Sequence, residues 1–380
     1  MPDSKRQPID FDSLSGLLLT LTALSGEFPT SQIDRLPSTA SYKEKVIKSL
    51  KSGKLIRTYY HDGLRGLRLT APAKKLLTFS QPDWFSPLFT GDTVTNAPKY
   101  SITHRLRLHR MAEVLVTMLN AGISAFPWEK PVIFQPTPPP SDVRIRQPAY
   151  YSSREVKEIG PQSAKIRGSR ATGILLTDGG IFVVYNTAST QMKWEYKAEM
   201  RLKALLQMEL CQYRLPAQFA QSDQDAIVFG SDMEQMTVLM GVGGDRRHNY
   251  FVLDGSFEHF YYLTSDHRGE VILQLLCESE QREILDAILS EDLSERRSGW
   301  VVDNDAMDGE SPVLFAYTCD MPRIQHFDTA LELHGKAGTL ICFDFQEDAL
   351  HRVCGPKVRI QCIDFDAYER SVFRVTEESG

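Results

Sequence analysis

The first helical signal of the chain has a clear beginning and a clear end. Ser13 is a residue type that caps helices well, and Gly26 stands where helices commonly stop. Between them, leucines recur at the three- and four-residue spacing of one helical face, at Leu14, Leu17, Leu18, Leu21 and Leu24. Such a face must pack against another element, so it predicts the first helix of a compact domain.

Two further helical signals and a hairpin follow at once. A short second helix is predicted around Ile33 and Leu36, and a third over residues 41–52. Residues 55–60 and 67–70 alternate as strands around a loop at 61–66, which contains an Asp-Gly turn signal. Three short helices followed by a hairpin predict a winged helix-turn-helix, with the hairpin as its wing.

The same segment differs from the rest of the chain in charge. Residues 41–75 hold ten Lys and Arg against two acidic residues, a local charge of +8 in a chain whose net charge is −6. Because duplex DNA presents a dense line of phosphates, clustered cations on a third helix and wing predict DNA binding. A protein-binding winged helix or a merely solvated helical face remains the alternative. The predicted DNA-binding residues are Ser41, Tyr42, Lys43, Lys45, Lys48, Lys51, Lys54, Arg57, Arg65 and Arg68.

The remaining residues predict an α/β protein of the α+β kind with two more domains. A long helix over residues 104–120, strands at 172–177 and 181–185, and a helix at 194–213 indicate a central α/β domain over 96–220. Short strands, one of them predicted at residues 236–240, and fewer helices indicate a C-terminal α+β domain over 221–380, which we expect to mediate self-association or partner contact. The winged helix then occupies 1–95, and no internal repeat of fixed period is visible.

The central segment can be compared with the restriction-endonuclease-like core, in which carboxylates and a lysine on two strands hold a metal. Its order of elements is compatible, but the expected positions near 170–173 and 184–186 carry neither a carboxylate nor a lysine. A metal-dependent endonuclease stays open as an alternative, with Asp178, Glu195 and Lys197 as its catalytic residues. Asp178 also fits a plain turn, and Glu195 a solvated helix start.

A family resemblance is carried by the winged helix, the long helix, and the segments 150–155 and 168–175 (YYSSRE and GSRATGIL) with the hairpin after them. Over residues 10–240 the chain resembles the replication-relaxation family of plasmids and conjugative elements. The resemblance implies an accessory role in plasmid replication or mobilisation, beside a relaxase or replication initiator. It implies a nuclease-like domain that is often without a full active site, and it supplies no catalytic residue.

The sequence thus favours a non-catalytic factor that binds double-stranded DNA and can form a homodimer. A winged-helix transcriptional regulator is the third alternative. No motif calls for a cofactor or a metal, and no apolar run approaches the ~20 residues that span a bilayer. No secretion signal is apparent, and the six cysteines lie mostly in apolar stretches without any Cys-x-x-Cys pair. We therefore expect a cytoplasmic protein with no membrane partner.

Overall fold

The computed structural model describes residues 9–90, 100–135, 137–156, 168–241, 250–251, 253, 255–296 and 302–378. The chain is a mixed α/β protein that forms two compact units, Met1–Pro131 and Val132–Gly380. No helix in the described ranges is long and apolar enough to cross a membrane.

The first unit begins with the predicted leucine-rich helix α1, Leu14–Ser25. The Ser13 side chain accepts a hydrogen bond from the backbone N–H of Gly16, and Gly26 ends the helix at a φ of 84°. Both capping predictions are confirmed. The other elements of this unit are β1 (Phe28–Pro29), α2 (Ala40–Ser52), β2 (Ile56–His61), β3 (Leu64–Leu69), α3 (Ala71–Ser80), α4 (Pro82–Thr90) and α5 (Ile102–Asn120).

Two details of this unit differ from the sequence prediction. The expected second helix is only a 3-10 turn at Thr30–Gln32, followed by irregular turns before α2. The loop of the hairpin is also shorter than expected, because β2 and β3 remain paired up to His61 and Leu64. Asp62 and Gly63 alone form the turn, both with positive φ (51° and 75°), which is the backbone that a two-residue type I′ hairpin requires. The three strands form an antiparallel sheet in the order β1-β3-β2.

Helix α5 belongs to the first unit rather than to a separate central domain. It packs against α1 and β1 and buries Met111, Val114, Leu115 and Met118. The boundary between the units accordingly falls at residues 131 and 132, not at 95 and 96 as predicted.

The second unit contains a five-stranded sheet in the order β4-β5-β6-β7-β8. The first three strands pair antiparallel and the last three pair parallel. The predicted boundary at residue 220 falls inside this sheet, because β7 and β8 complete it. Its strands are β4 (Ala149–Ser152), β5 (Gly173–Leu176), β6 (Ile181–Ala188), β7 (Gln224–Gly230) and β8 (Phe260–Thr264). Its helices are α6 (Ser153–Val156), α7 (Tyr196–Leu206), α8 (Pro216–Phe219), α9 (Met233–Gly241) and α10 (His267–Cys277), with a π-helical turn at Gln207–Arg214.

A second five-stranded sheet repeats the same plan. Its order is β9-β10-β11-β12-β13, again with two antiparallel pairings followed by two parallel ones. Its strands are β9 (Ser294–Glu295), β10 (Ala306–Asp308), β11 (Ser311–Phe315), β12 (Gly338–Phe343) and β13 (Val358–Ile363). The accompanying helices are α11 (Ser279–Leu289), α12 (Met321–His334), α13 (Glu347–Val353) and α14 (Phe365–Glu378). One buried hydrophobic cluster contains side chains from both sheets. The second unit is therefore built from two sheets of one topology, a repeat that the sequence did not show.

One strand prediction in this unit is wrong. Residues 236–240 read as an apolar strand, but they lie within α9, which connects the parallel strands β7 and β8. Met236 and Leu239 are buried, so this helix is apolar because it packs in the core.

Candidate nucleic-acid interface

Three of the lysines predicted to bind DNA are exposed on one side of α2. Lys45, Lys48 and Lys51 follow one another at three-residue spacing and are all exposed, whereas Leu50 is buried. Residues three apart are neighbours on a helix surface, so these ammonium groups form one row. Ser41 and Tyr42 are also exposed, in the first turn of the same helix.

Lys43 does not belong to this row. Its side chain is buried, and its Nζ donates a hydrogen bond to the carbonyl oxygen of Asp34 at 2.8 Å. The prediction that Lys43 contacts DNA is therefore wrong, because its ammonium group holds the segment before α2 in place.

The basic residues in and beside the hairpin are also partly exposed and partly buried. Lys54, Arg57 and Arg65 are exposed, and the Arg65 guanidinium lies 5.6 Å from the ring centre of Tyr60. Arg68 is buried instead, and its Nε and Nη2 each lie 2.7 Å from Oε2 of Glu27. Arg68 is therefore a structural residue, and its assignment to the DNA-binding set is also wrong.

Glu27 is the centre of a buried charged cluster that sequence reasoning missed. Its carboxylate is fully buried and binds Arg68, Arg105 at 2.6 Å and His109 at 2.9 Å. Burial raises the pKa of Glu27, but hydrogen bonds from His109, Arg105 and Arg68 outweigh this effect and lower it to about 2. The cluster fastens α5 to the strand sheet of the first unit.

The three alternative nuclease residues are not brought together. Asp178 lies in the exposed turn before β6, where its carbonyl oxygen accepts a hydrogen bond from Gln218 Nε2 at 2.7 Å. Glu195 and Lys197 follow the other end of β6, at the start of α7. A strand of that length spans about 25 Å, so these side chains cannot share one metal ion. Nowhere in the described parts do three or more His, Cys, Asp or Glu residues form a group that could hold a metal.

Glu199 on α7 is a buried acid that contacts residues 170 and 185, within the two stretches where a nuclease would carry its metal-binding residues. Its carboxylate accepts hydrogen bonds from Ser169 Oγ at 2.8 Å, from the Arg170 backbone N–H at 2.7 Å and from Tyr185 Oη at 2.9 Å. Burial is the largest influence on Glu199 and raises its pKa. Both carboxylate oxygens already have partners, so this residue links α7 to the sheet and is not poised to bind a metal.

A second ionisable group lies where the two sheets of the second unit meet. Nδ1 of His259 is 2.6 Å from Oδ2 of Asp320, and Oδ1 of Asp320 accepts the Phe260 backbone N–H at 3.2 Å. Asp232 and Asp266 also stand at helix starts, and each accepts a backbone N–H of its own helix at 3.1 Å. Asp320 precedes α12 but makes no such capping bond. Its carboxylate therefore joins the two sheets and does not cap α12.

The pair formed by His259 and Asp320 should make the stability of the second unit depend on pH. The hydrogen bond to Asp320 is the largest influence on His259 and raises its pKa, with Asp225 and Glu258 acting in the same direction. Burial raises the pKa of Asp225 to about 6. Since the folded-state pKa of His259 exceeds its unfolded value of ~6.5, its stabilising effect is present below that pH and is lost as pH rises through the folded value.

The measurement is the free energy of unfolding of the wild type minus that of His259→Gln, followed across pH. We expect this difference to favour the wild type below pH ~6.5 and to shrink on going to alkaline pH. His326→Gln, an exposed change on α12, is the matched control and should leave a flat difference. A pH-independent difference for His259→Gln would contradict the assigned ion pair.

Three comparisons with known proteins found no match to this chain. A scan against protein-family models found no match, and searches of curated proteins and of solved structures likewise found none.

Proposed function

We propose that this protein binds duplex DNA through the exposed face of α2 and the adjoining hairpin, and that it does so without cutting the DNA. The proposal rests on which basic side chains of α2 and the hairpin are buried and which are exposed. Lys43 and Arg68, which have structural partners, are buried. Six others are exposed and have no ion-pair partner among the described residues, namely Lys45, Lys48, Lys51, Lys54, Arg57 and Arg65.

Six cations on one helix and its neighbouring hairpin suit a phosphate backbone. Lysines in a row along a helix can neutralise successive phosphates, while the exposed Arg65 near the hairpin tip can reach a second part of the duplex. An α-helix fits the major groove, and the N-terminal residues of such a helix meet the base edges. Ser41 and Tyr42, in the first turn of α2, are therefore the residues that we assign to base contact, and Lys45 belongs to the phosphate-contacting row.

The mobile-element setting rests on the family resemblance alone. It is the reason to seek the DNA target at an origin of plasmid replication or transfer, with a relaxase or replication initiator as the accompanying protein. Binding to an origin fragment in preference to a shuffled fragment of equal length would support that setting.

One gel experiment separates binding from nuclease activity. With supercoiled plasmid and either Mg²⁺ or Mn²⁺, we expect retarded migration that is reversed by salt, and no nicked or linear product. The separation of Asp178 from Glu195 and Lys197 is the physical reason for expecting no cleavage. Cleavage that disappears in Glu195→Ala would overturn the non-catalytic part of the proposal, and absence of retardation at low salt would overturn the binding part.

A further inference from the structure

The guanidinium of Arg105 on α5 holds the tip of the hairpin. Its Nη1 donates to the carbonyl oxygen of His61 at 2.8 Å, and its Nη2 donates to that of Leu64 at 3.0 Å. His61 and Leu64 are the last paired residues before the two-residue turn. One buried side chain therefore binds both ends of the turn from beneath.

The same guanidinium is fixed on its other side. Nε and Nη2 of Arg105 bind the carboxylate of Glu27, and the group lies 4.6 Å from the ring centre of Tyr59 in β2. Arg68 lies 3.8 Å from the same ring centre. Arginine presents five N–H donors in a rigid plane, so it can satisfy a carboxylate and two carbonyls at once, whereas a lysine ammonium cannot reproduce this fork.

The anchor matters because a two-stranded hairpin is not rigid by itself. Among the described residues, only β3 of this hairpin has a further strand beside it, the two-residue β1, and β2 lies at the edge of the sheet. Arg65 follows Leu64 directly, so the position of its guanidinium depends on how the tip is held.

We propose, building on the DNA-binding function above, that Arg105 is a positioning residue for the interface. It sets the hairpin tip so that Arg65 reaches the duplex together with the lysines of α2. Arg105 itself is buried and does not touch DNA.

A double-mutant cycle tests this role with a mixed-sequence duplex as the probe. Arg105→Gln should weaken binding by about tenfold, although it removes no exposed charge. Arg65→Ala should weaken wild-type binding similarly but add little in the Arg105→Gln background, because the tip is already displaced. Lys48→Ala is the matched control on α2, and its effect should be the same in both backgrounds.

Two outcomes would overturn the assignment. Additive effects of Arg105→Gln and Arg65→Ala would show that the two residues act independently, and a diminished effect of Lys48→Ala would show general loss of the domain. Arg105→Lys guards against a variant that fails to fold, since it keeps the charge beside Glu27. Arg65→Ala should therefore weaken DNA binding little in the Arg105→Lys background as well. If Arg65→Ala weakened binding there as much as in the wild type, the planar guanidinium of Arg105 would not be needed.

A measurement without DNA keeps this inference separate from the proposed function. Amide hydrogen exchange at residues 61–66 should accelerate in Arg105→Gln and Arg105→Lys, while exchange in α2 stays unchanged. Unchanged exchange at the tip would overturn the positioning role even if DNA binding is confirmed. Faster exchange in a protein that binds no duplex would leave the anchor established and the DNA-binding proposal refuted.

Discussion

Replacing Lys45, Lys48 and Lys51 together with alanine is expected to weaken duplex DNA binding by on the order of 10²-fold to 10³-fold at ~0.1 M salt. Each cation that neutralises a phosphate releases about one counterion, so the slope of log K against log salt should fall by about three. All three side chains are exposed, and alanine favours helix formation, so α2 itself should remain folded. Fluorescence anisotropy of a labelled duplex across a salt series measures both quantities.

The matched control removes three exposed cations from the second unit, in the variant Lys193→Ala, Lys336→Ala, Arg359→Ala. It changes the net charge by the same amount but leaves the proposed interface intact, and we expect its affinity and salt slope to stay close to those of the wild type. Equal losses in the two variants would mean that net charge, not the α2 face, governs binding.

Glu27→Gln should be the most destabilising single change in the first unit. It leaves the buried guanidinium groups of Arg68 and Arg105 without their carboxylate, and breaking a buried ion pair by removing one partner costs about 3–5 kcal/mol. Unfolding of the full chain in urea, with hydrogen exchange in α1 and β3 as the readout, would measure this loss of stability. Glu44→Gln, an exposed change on α2, is the control and should alter stability by less than ~0.5 kcal/mol.

Acid should remove the difference between Glu27→Gln and the wild type. The folded-state pKa of Glu27 is lowered to about 2, below its unfolded value of 4.5. Its stabilising contribution is therefore complete above pH 4.5 and is lost as pH falls towards 2. A gap between the two proteins that is unchanged at acid pH would show that the carboxylate charge is not what stabilises the cluster.

The elements that sequence predicted well are those fixed by neighbours along the chain. Ser13 and Gly26 delimit α1 because capping depends on local backbone conformation, and the Asp62-Gly63 turn closes the hairpin for the same reason. The run at 236–240 shows the limit of this approach, since a short apolar stretch fits a buried helix as well as a strand.

Within the proposed interface, one of the two wrong assignments could have been avoided. Lys43 lies four and seven residues before Ile47 and Leu50, so helical spacing places it on the inner side of α2. No comparable signal marks Arg68, whose burial depends on Glu27, forty-one positions away in the chain. The contact between Glu27 and Arg105 spans seventy-eight positions and joins the residue just before β1 to helix α5.

The repeated sheet was also beyond sequence reasoning, for a different reason. The two copies share strand order and pairing direction but not strand length, since β9 has two residues where β4 has four. Sheet topology depends on which strands pair, and that information does not appear as a fixed sequence period. The link from His259 to Asp320 likewise depends on two sheets meeting.

Amide hydrogen exchange of the full chain, with and without a saturating mixed-sequence duplex, tests the central claim most directly. Slower exchange at residues 41–54 and 61–66, with the described parts of the second unit little changed, is the predicted result. Protection confined to the second unit, or none along α2 while the duplex is bound, would contradict it.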